Sequence, residues 1–393
     1  MRAALALALA LGGSPARADA LDLSRADGSI RIATFNVALS RPGAGLLERD
    51  IAKRTPQVLA VAEIVLRVRP DVILLQEFDR DPAGRALAAF AALLADGVAG
   101  QPGAGYPHRH QGPVNTGEPS GLDLDGDGRR MGPADAWGFG TYPGHYGMAV
   151  LSRLPLGPVR SFRLLPWSAM PGANRPRRTD GQPFHDDAVW RALRLSSKAH
   201  WIVPLHLPGG VVDLLAAHPT PPVFDGPEDR NGARNGDEIA LLAAIIDGAG
   251  WLRDDAGVPG GLAPDAAFVV AGDLNADPAD GEARHEAIAA LLAHPRLADP
   301  RPSSPGAAES ARLQAAANTG HRTPAATDTA DWRDQPGPGN LRVDYLLPSA
   351  GLSVTGRGVF WPVADDPLAR LVAGARGPAS SDHRLVWLDI ALP

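Results

Sequence analysis

No cysteine occurs in the 393 residues. Disulfide staples are therefore excluded, and the histidines show none of the Cys/His spacing that a structural zinc site uses. The absence says nothing of compartment, because disulfides are permitted outside the cytosol but not required there. Positive charge is not in excess either: the formal net charge is −6 at pH 7. Non-specific nucleic-acid binding rests on neutralising phosphates with Lys and Arg, so a general coat for DNA or RNA is excluded. A nuclease is not, since a metal cluster and a few local arginines can hold one phosphate on an acidic protein. No stretch reaches the roughly 20 apolar residues that a membrane helix needs, and no internal sequence repeat is visible. What is there, 45% hydrophobic and 21% charged residues, is the composition of a globular protein with ample core.

The first twenty residues carry an address. Arg2 gives a short positive start, residues 3–11 are unbroken apolar, and Ala18 and Ala20 are small where a signal peptidase cuts. The expectation is a signal peptide over 1–20, with the remaining residues, 21–393, forming one domain that is secreted or periplasmic after cleavage near Ala20. Removing Arg2, Arg17 and Asp19 takes the net charge to about −7.

Residues 29–37, SIRIATFNV, alternate as a strand ending at Asn36. Val58, Val61, Ala62 and Val65 form the stripe of a surface helix over 57–69. A continuous apolar strand, DVILLQE, then delivers Glu77 at its end. A second amphipathic helix carries Leu87, Phe90, Ala91 and Leu94. Long loops are expected near 96–145, 160–200 and 300–340. The first holds DLDGDG, in which Asp123, Asp125 and Asp127 stand at positions 1, 3 and 5 of a calcium loop with glycine at 6. Position 12 is Ala134, with Asp135 one step on, so calcium binding and a solvated acidic turn both remain open. The second contains Arg163, Arg175, Arg177, Arg178, Arg191 and Arg194, whose planar forks suit phosphate.

A strand over 211–218 ends in His218 and meets the rigid exit PTPP. Asn235 with Glu238 reads as a capping box opening the next helix. In FVVAGDLNAD, residues 268–277, four apolar or small residues run into a glycine and then Asp273 and Asn275. Residues two apart on an extended chain share a side, although Gly-Asp-Leu-Asn alone reads more readily as a turn. LRVDYLLP carries Asp344, and SSDH places Asp382 and His383 before a closing strand. Oxygen- and nitrogen-bearing side chains thus recur at strand ends, at Asn36, Glu77, His218, Asp273, Asn275, Asp344, Asp382 and His383. Repetition at one relative position on six or seven strands argues for a single site, and this donor set suits magnesium, manganese or calcium.

In their order, TFNV, LLQE, the strand-final histidine, GDLN, RVDYLL and SDH resemble the endonuclease/exonuclease/phosphatase superfamily, from residue 30 to the C-terminus. The resemblance implies an α+β fold, a four-layer α/β/β/α sandwich of two packed, mainly antiparallel β-sheets flanked by helices. It implies that Glu77 is the principal ligand of Mg2+ or Mn2+, that Asn36 positions the metal or phosphate, and that Asp382 lies beside the metal or a second ion. Asp273 and Asn275 would orient the attacking water and hold a phosphate oxygen. His383 would be polarised by Asp344 and act as acid–base group, and His218 would donate to a phosphoryl oxygen. The activity implied is metal-dependent phosphoester hydrolysis, with a phosphodiester substrate such as nucleic acid foremost and a phosphomonoester or phospholipid head group as alternatives. A different class also fits the composition, a non-catalytic extracellular binding protein stabilised by calcium; four such residues as Glu77, His218, Asp273 and His383 speak against it. No protein partner can be inferred.

Overall fold

The computed structural model describes residues 21–333, 336–373 and 379–391; the expected signal peptide lies outside them. The chain opens with β1 (Ile30–Leu39), α1 (Leu46–Ala52), α2 (Pro56–Val68), β2 (Val72–Phe78) and α3 (Arg85–Asp96). Next come β3 (His108–His110), β4 (Met148–Ser152), β5 (Arg160–Ser161), α4 (Asp187–Ala192) and the hairpin of β6 (His200–Leu207) and β7 (Gly210–Ala217). Then follow α5 (Arg230–Ile246), β8 (Ala267–Asp273), α6 (His285–Leu292) and α7 (Pro305–Gln314). The chain finishes through β9 (Ala330–Asp331), β10 (Asn340–Leu341), β11 (Asp344–Pro348), β12 (Val354–Val359) and β13 (Val386–Ile390).

One sheet has the order β12-β13-β1-β2-β4-β3 and the other β11-β8-β7-β6-β5, with β9 and β10 forming a small ribbon. Each large sheet has a single parallel pair, β1 with β2 and β7 with β8. The connections in those two places carry helices, as a parallel crossover requires. All other pairings are antiparallel.

Strand alternation sorts the core. On β7 and β8, Leu214, Ala216, Val269 and Ala271 share an apolar cluster with β1, β2, β4 and α2. Their neighbours Leu215, Ala217, Phe268 and Val270 belong instead to a cluster with Ile239, Leu242 and Ile246 of α5 and Ile288 of α6. A strand covered on both faces has no solvent side, which is why DVILLQE is apolar at every position from Val72 to Leu75. The result is two mixed sheets face to face with helices flanking them.

Three expectations change. Helix α5 begins at Arg230, not at Asn235; Asn235 and Glu238 lie inside it, both fully buried. Their spacing mimics a capping box, but their side chains bond to other parts of the chain. The 300–340 region is not all loop, since α7 starts there on Ser304, whose hydroxyl accepts from the Gly306 amide. Of the six arginines of 160–200 suited to phosphate, three are engaged by acidic partners. Arg163 and Arg194 both pair with Glu118, and Arg175 pairs with Asp187 at 2.8 Å.

Candidate active site

The strand-end residues converge on the seam between the sheets. Asn36, Glu77, Asp382 and His383 come from the six-stranded sheet or the chain entering it, and His218, Asp273, Asn275 and Asp344 from the five-stranded sheet. Asn36 stitches the two together, its Nδ2 donating to Glu77 Oε1 at 3.2 Å and to Asp273 Oδ2 at 3.0 Å. Asp273 Oδ2 also lies 3.4 Å from His218 Nε2 and 3.7 Å from His383 Nε2. His383 Nδ1 in turn sits 2.9 Å from Asp344 Oδ2. Asp382 is turned toward Trp332, whose Nε1 donates to its Oδ2 at 3.1 Å.

Local sequence explains the placements. Gly272 lets β8 approach β7 closely, because a Cβ there would stand 2.0 Å from the Ala217 carbonyl oxygen. This brings His218, the residue after Ala217, to Asp273. Glu77 and Asn275 both adopt left-handed backbone, at φ 53 and 52. Such conformations cost a non-glycine residue about 1–3 kcal/mol and collect at functional sites. In the Asn275 turn its amide donates to Asp273 Oδ1 at 2.9 Å, fixing the second carboxylate oxygen. Thus GDLN is both the turn and the site. Ser381 anchors the SSDH segment, donating to the Asn36 carbonyl at 2.7 Å and accepting from the His383 amide at 3.1 Å.

Burial sets the electrostatics. His218 is pushed down to about 4 by burial and by the nearby Lys198 charge, against the pull of Asp273, so it is neutral. Burial would also lower His383, but Asp344, Asp273 and Asp382 outweigh it and raise the imidazole well above its usual value. Asp273 shows the converse: burial raises it, yet His383 and His218 hold it below the carboxylate range. For Glu77 burial prevails and pushes the carboxyl up, with Asp382 adding to the effect. Two buried atoms in the site, His218 Nδ1 and Asp344 Oδ1, have no hydrogen-bond partner.

Several contributors escape a sequence reading. Glu238, from the middle of α5, accepts from the Ser197 amide and hydroxyl at 2.6 and 3.0 Å and from the Thr220 amide at 2.8 Å. Thr329 Oγ1 accepts from the Asp344 amide, and the Trp332 ring meets His383 edge-on with centroids 5.4 Å apart. Lys198 is buried, and its charge acts on His218. None of these is periodic or repeated at strand ends; only a tryptophan amid Pro and Gly offered a hint.

The donors suit a hard cation. Ligand atoms of Asp273, Asp344 and His383 lie within 4.8 Å of one another, whereas Glu77 and Asp382, the carboxylates that the resemblance gives to the metal, belong to no such group of three among the described residues. Glu77 is a half-buried carboxylate whose desolvation drives it toward protonation, so a cation beside it would gain strongly. A second acidic group forms in the long loop, where Asp123, Asp125 and Asp135 offer oxygens within 4.8 Å. Asp127 is not in that group; its Oδ1 accepts from the Arg129 amide at 2.7 Å.

No curated protein matches the chain. Among solved structures it is similar to an endonuclease/exonuclease/phosphatase from Beutenbergia cavernae, at 19% identity and TM-score 0.48, covering 93% of this chain and 72% of that one. It is also similar to sphingomyelinase C from Streptomyces griseocarneus, at 16% identity and TM-score 0.45, covering 92% and 99% of the two chains. The human Nocturnin catalytic domain matches at 15% identity and TM-score 0.45, over 93% and 95%. The model of the Endonuclease/Exonuclease/phosphatase family, whose members are phosphoester hydrolases, matches residues 33–383. With nearly the whole chain matched, and the matched span running from β1 to His383, this protein belongs to the endonuclease/exonuclease/phosphatase family.

Proposed function

We propose that the protein is a divalent-metal-dependent phosphoesterase that cleaves a P–O bond of a phosphodiester by direct attack of water. The carrying observation is the chain of contacts from Glu77 through Asn36 and Asp273 to His383 and Asp344 across the seam. Glu77, Asn36 and Asp382 would hold Mg2+ or Mn2+, which when bound supplies charge neutralisation to phosphoryl oxygens and lowers the pKa of water.

The chain's own residues do the rest. Asp273, steadied by the Asn275 amide and kept ionised by two imidazoles, is placed to accept a proton from the attacking water. His383, charged and oriented by Asp344, is placed to donate to the phosphoryl group or to the leaving oxygen. Asn275 Nδ2, which spends one N–H on the Pro219 carbonyl at 3.2 Å, keeps a second for a phosphate oxygen. A site with four carboxylates favours the single negative charge of a diester over a doubly charged monoester. The apolar leader and its small-residue cleavage site support export.

The experiment incubates the protein with plasmid DNA, bis-p-nitrophenyl phosphate and p-nitrophenyl phosphate. Each is tested with Mg2+, Mn2+, Ca2+ or chelator, beside an Asp273→Ala control. Metal-dependent turnover of the diesters, lost in the control, is the expected result. Turnover of the monoester alone would overturn the diester assignment, and chelator-resistant activity the metal dependence.

A further inference from the structure

The chain contains only two lysines among its 38 basic Lys and Arg residues, Lys53 and Lys198. Lys53 is exposed at the end of α1. Lys198 is 5% exposed and enters the site just ahead of β6. A chain that otherwise uses arginine has kept a lysine at this buried position, where a compact ammonium differs from a planar fork.

Its surroundings leave the ammonium under-used. Its one hydrogen bond runs from Nζ to the Pro219 carbonyl at 3.3 Å, so two of its three N–H bonds are unspent. Glu238, the strongest charge acting on it, is already served by Ser197 and Thr220 and forms no ion pair with it. Arg234, a half-buried cation nearby, spends its donors on the carbonyls of Leu195, Trp137, Arg194 and Ser196. A buried ammonium with a single neutral partner is costly, and a structural counter-ion for Glu238 would be expected to touch it.

The direction of the ammonium is fixed by a shared acceptor. The Pro219 carbonyl also accepts from Asn275 Nδ2, at 3.2 Å, so Lys198 and Asn275 converge on one oxygen beside His218. Glu238 holds the residues next to both partners, Ser197 before Lys198 and Thr220 after Pro219. The site's imidazoles have other tasks. His218 is neutral, and with its proton on Nε2 that proton faces Asp273, while His383, held by Asp344, is the acid–base group.

We propose that Lys198 is a catalytic residue whose ammonium donates to a non-bridging oxygen of the scissile phosphate, beside Asn275, where negative charge grows during water attack. The proposal rests on the phosphoesterase reading and deepens it. It names a donor beside Asn275 and gives Glu238 the role of a positioning residue. A preorganised donor in such a place contributes on the order of 10²–10³ in rate.

Two measurements test it. Lys198→Met should lower kcat/KM on bis-p-nitrophenyl phosphate by about a hundredfold or more. It should also weaken inhibition by inorganic phosphate about tenfold while leaving the Mn2+ activation constant unchanged; Lys198→Arg should recover part of the phosphate inhibition. A folded Lys198→Met protein that keeps its kcat/KM within about threefold and its phosphate inhibition would overturn the proposal. If that variant fails to fold, the wild type decides. Labelling lysine with 13C and 15N gives two side-chain signals, and inorganic phosphate added to the Mg2+-loaded full chain should shift that of Lys198 and not that of Lys53. An unshifted Lys198 signal at saturating phosphate refutes the role. Should the wild type hydrolyse none of the phosphoesters, the phosphoesterase reading fails, and the phosphate-induced shift still judges Lys198 as an anion ligand.

Discussion

Replacing Asp344 by Asn tests the acid–base pair with almost no change of shape. Asp344 Oδ2 and His383 Nδ1 are 2.9 Å apart, with the Asp344 side chain fully buried and that of His383 6% exposed. Removing one partner of a buried, hydrogen-bonded charge pair costs about 2–5 kcal/mol. The carboxamide oxygen can still accept from Nδ1, retaining about 1 kcal/mol. The net loss, roughly 1–4 kcal/mol, corresponds to a fall of about 5- to 1000-fold in kcat if His383 acts in the rate-limiting step. The pH dependence is more diagnostic than the size. His383 is raised because Asp344, Asp273 and Asp382 outweigh burial. With Asp344 neutral, the imidazolium releases its proton at lower pH, so the alkaline limb of the kcat profile should move toward acid. The assay is metal-saturated bis-p-nitrophenyl phosphate hydrolysis across pH 5–10, with circular dichroism to confirm folding. A folded Asp344→Asn enzyme with kcat within about threefold of wild type, or an alkaline limb displaced upward, would refute the pairing.

Three further outcomes are expected. Burial and Asp382 raise Glu77, so without metal its ionisation opposes folding increasingly as pH rises above its unfolded value. Glu77→Gln should therefore melt higher than wild type in chelator at pH 8, should lose that advantage toward pH 5, and should show no thermal shift with Mn2+. Gly272→Ala should destabilise by about 3 kcal/mol or more in urea unfolding, because the added Cβ meets backbone, the Ala217 carbonyl oxygen; near-wild-type stability would contradict the close approach of β7 and β8. In the long loop, calcium should raise the melting temperature of the wild type and raise that of Asp125→Ala less, since Asp123, Asp125 and Asp135 converge; equal responses would reduce the loop to a solvated turn.

The sandwich and most of the site's edge were legible because strands covered on both faces write unbroken apolar runs, and polar residues that end them stand out. Asn36, Glu77, His218, Asp273, Asp344 and His383 were visible in this way and meet across the seam. Asn235 and Glu238 misled because capping boxes and buried helical acceptors share a spacing; only the distant Ser197 and Thr220 distinguish them. The six arginines looked alike in sequence, yet three are neutralised by Glu118 and Asp187. Lys198 and Trp332 gain their meaning from Pro219 and Asp382, contacts that no local pattern encodes.

The Asn36 side chain, reaching from one sheet to a carboxylate on each, makes the site a gauge of how the two layers sit. A slip of one sheet over the other by an ångström would stretch its bond to Asp273 on the far sheet while leaving that to Glu77 on its own sheet, and so part the two carboxylates. Mutations deep in the inter-sheet core, far from any reacting atom, should thus be felt as lost turnover before they are felt as lost fold. Ligands that tighten the seam should in turn make the whole sandwich harder to pull apart.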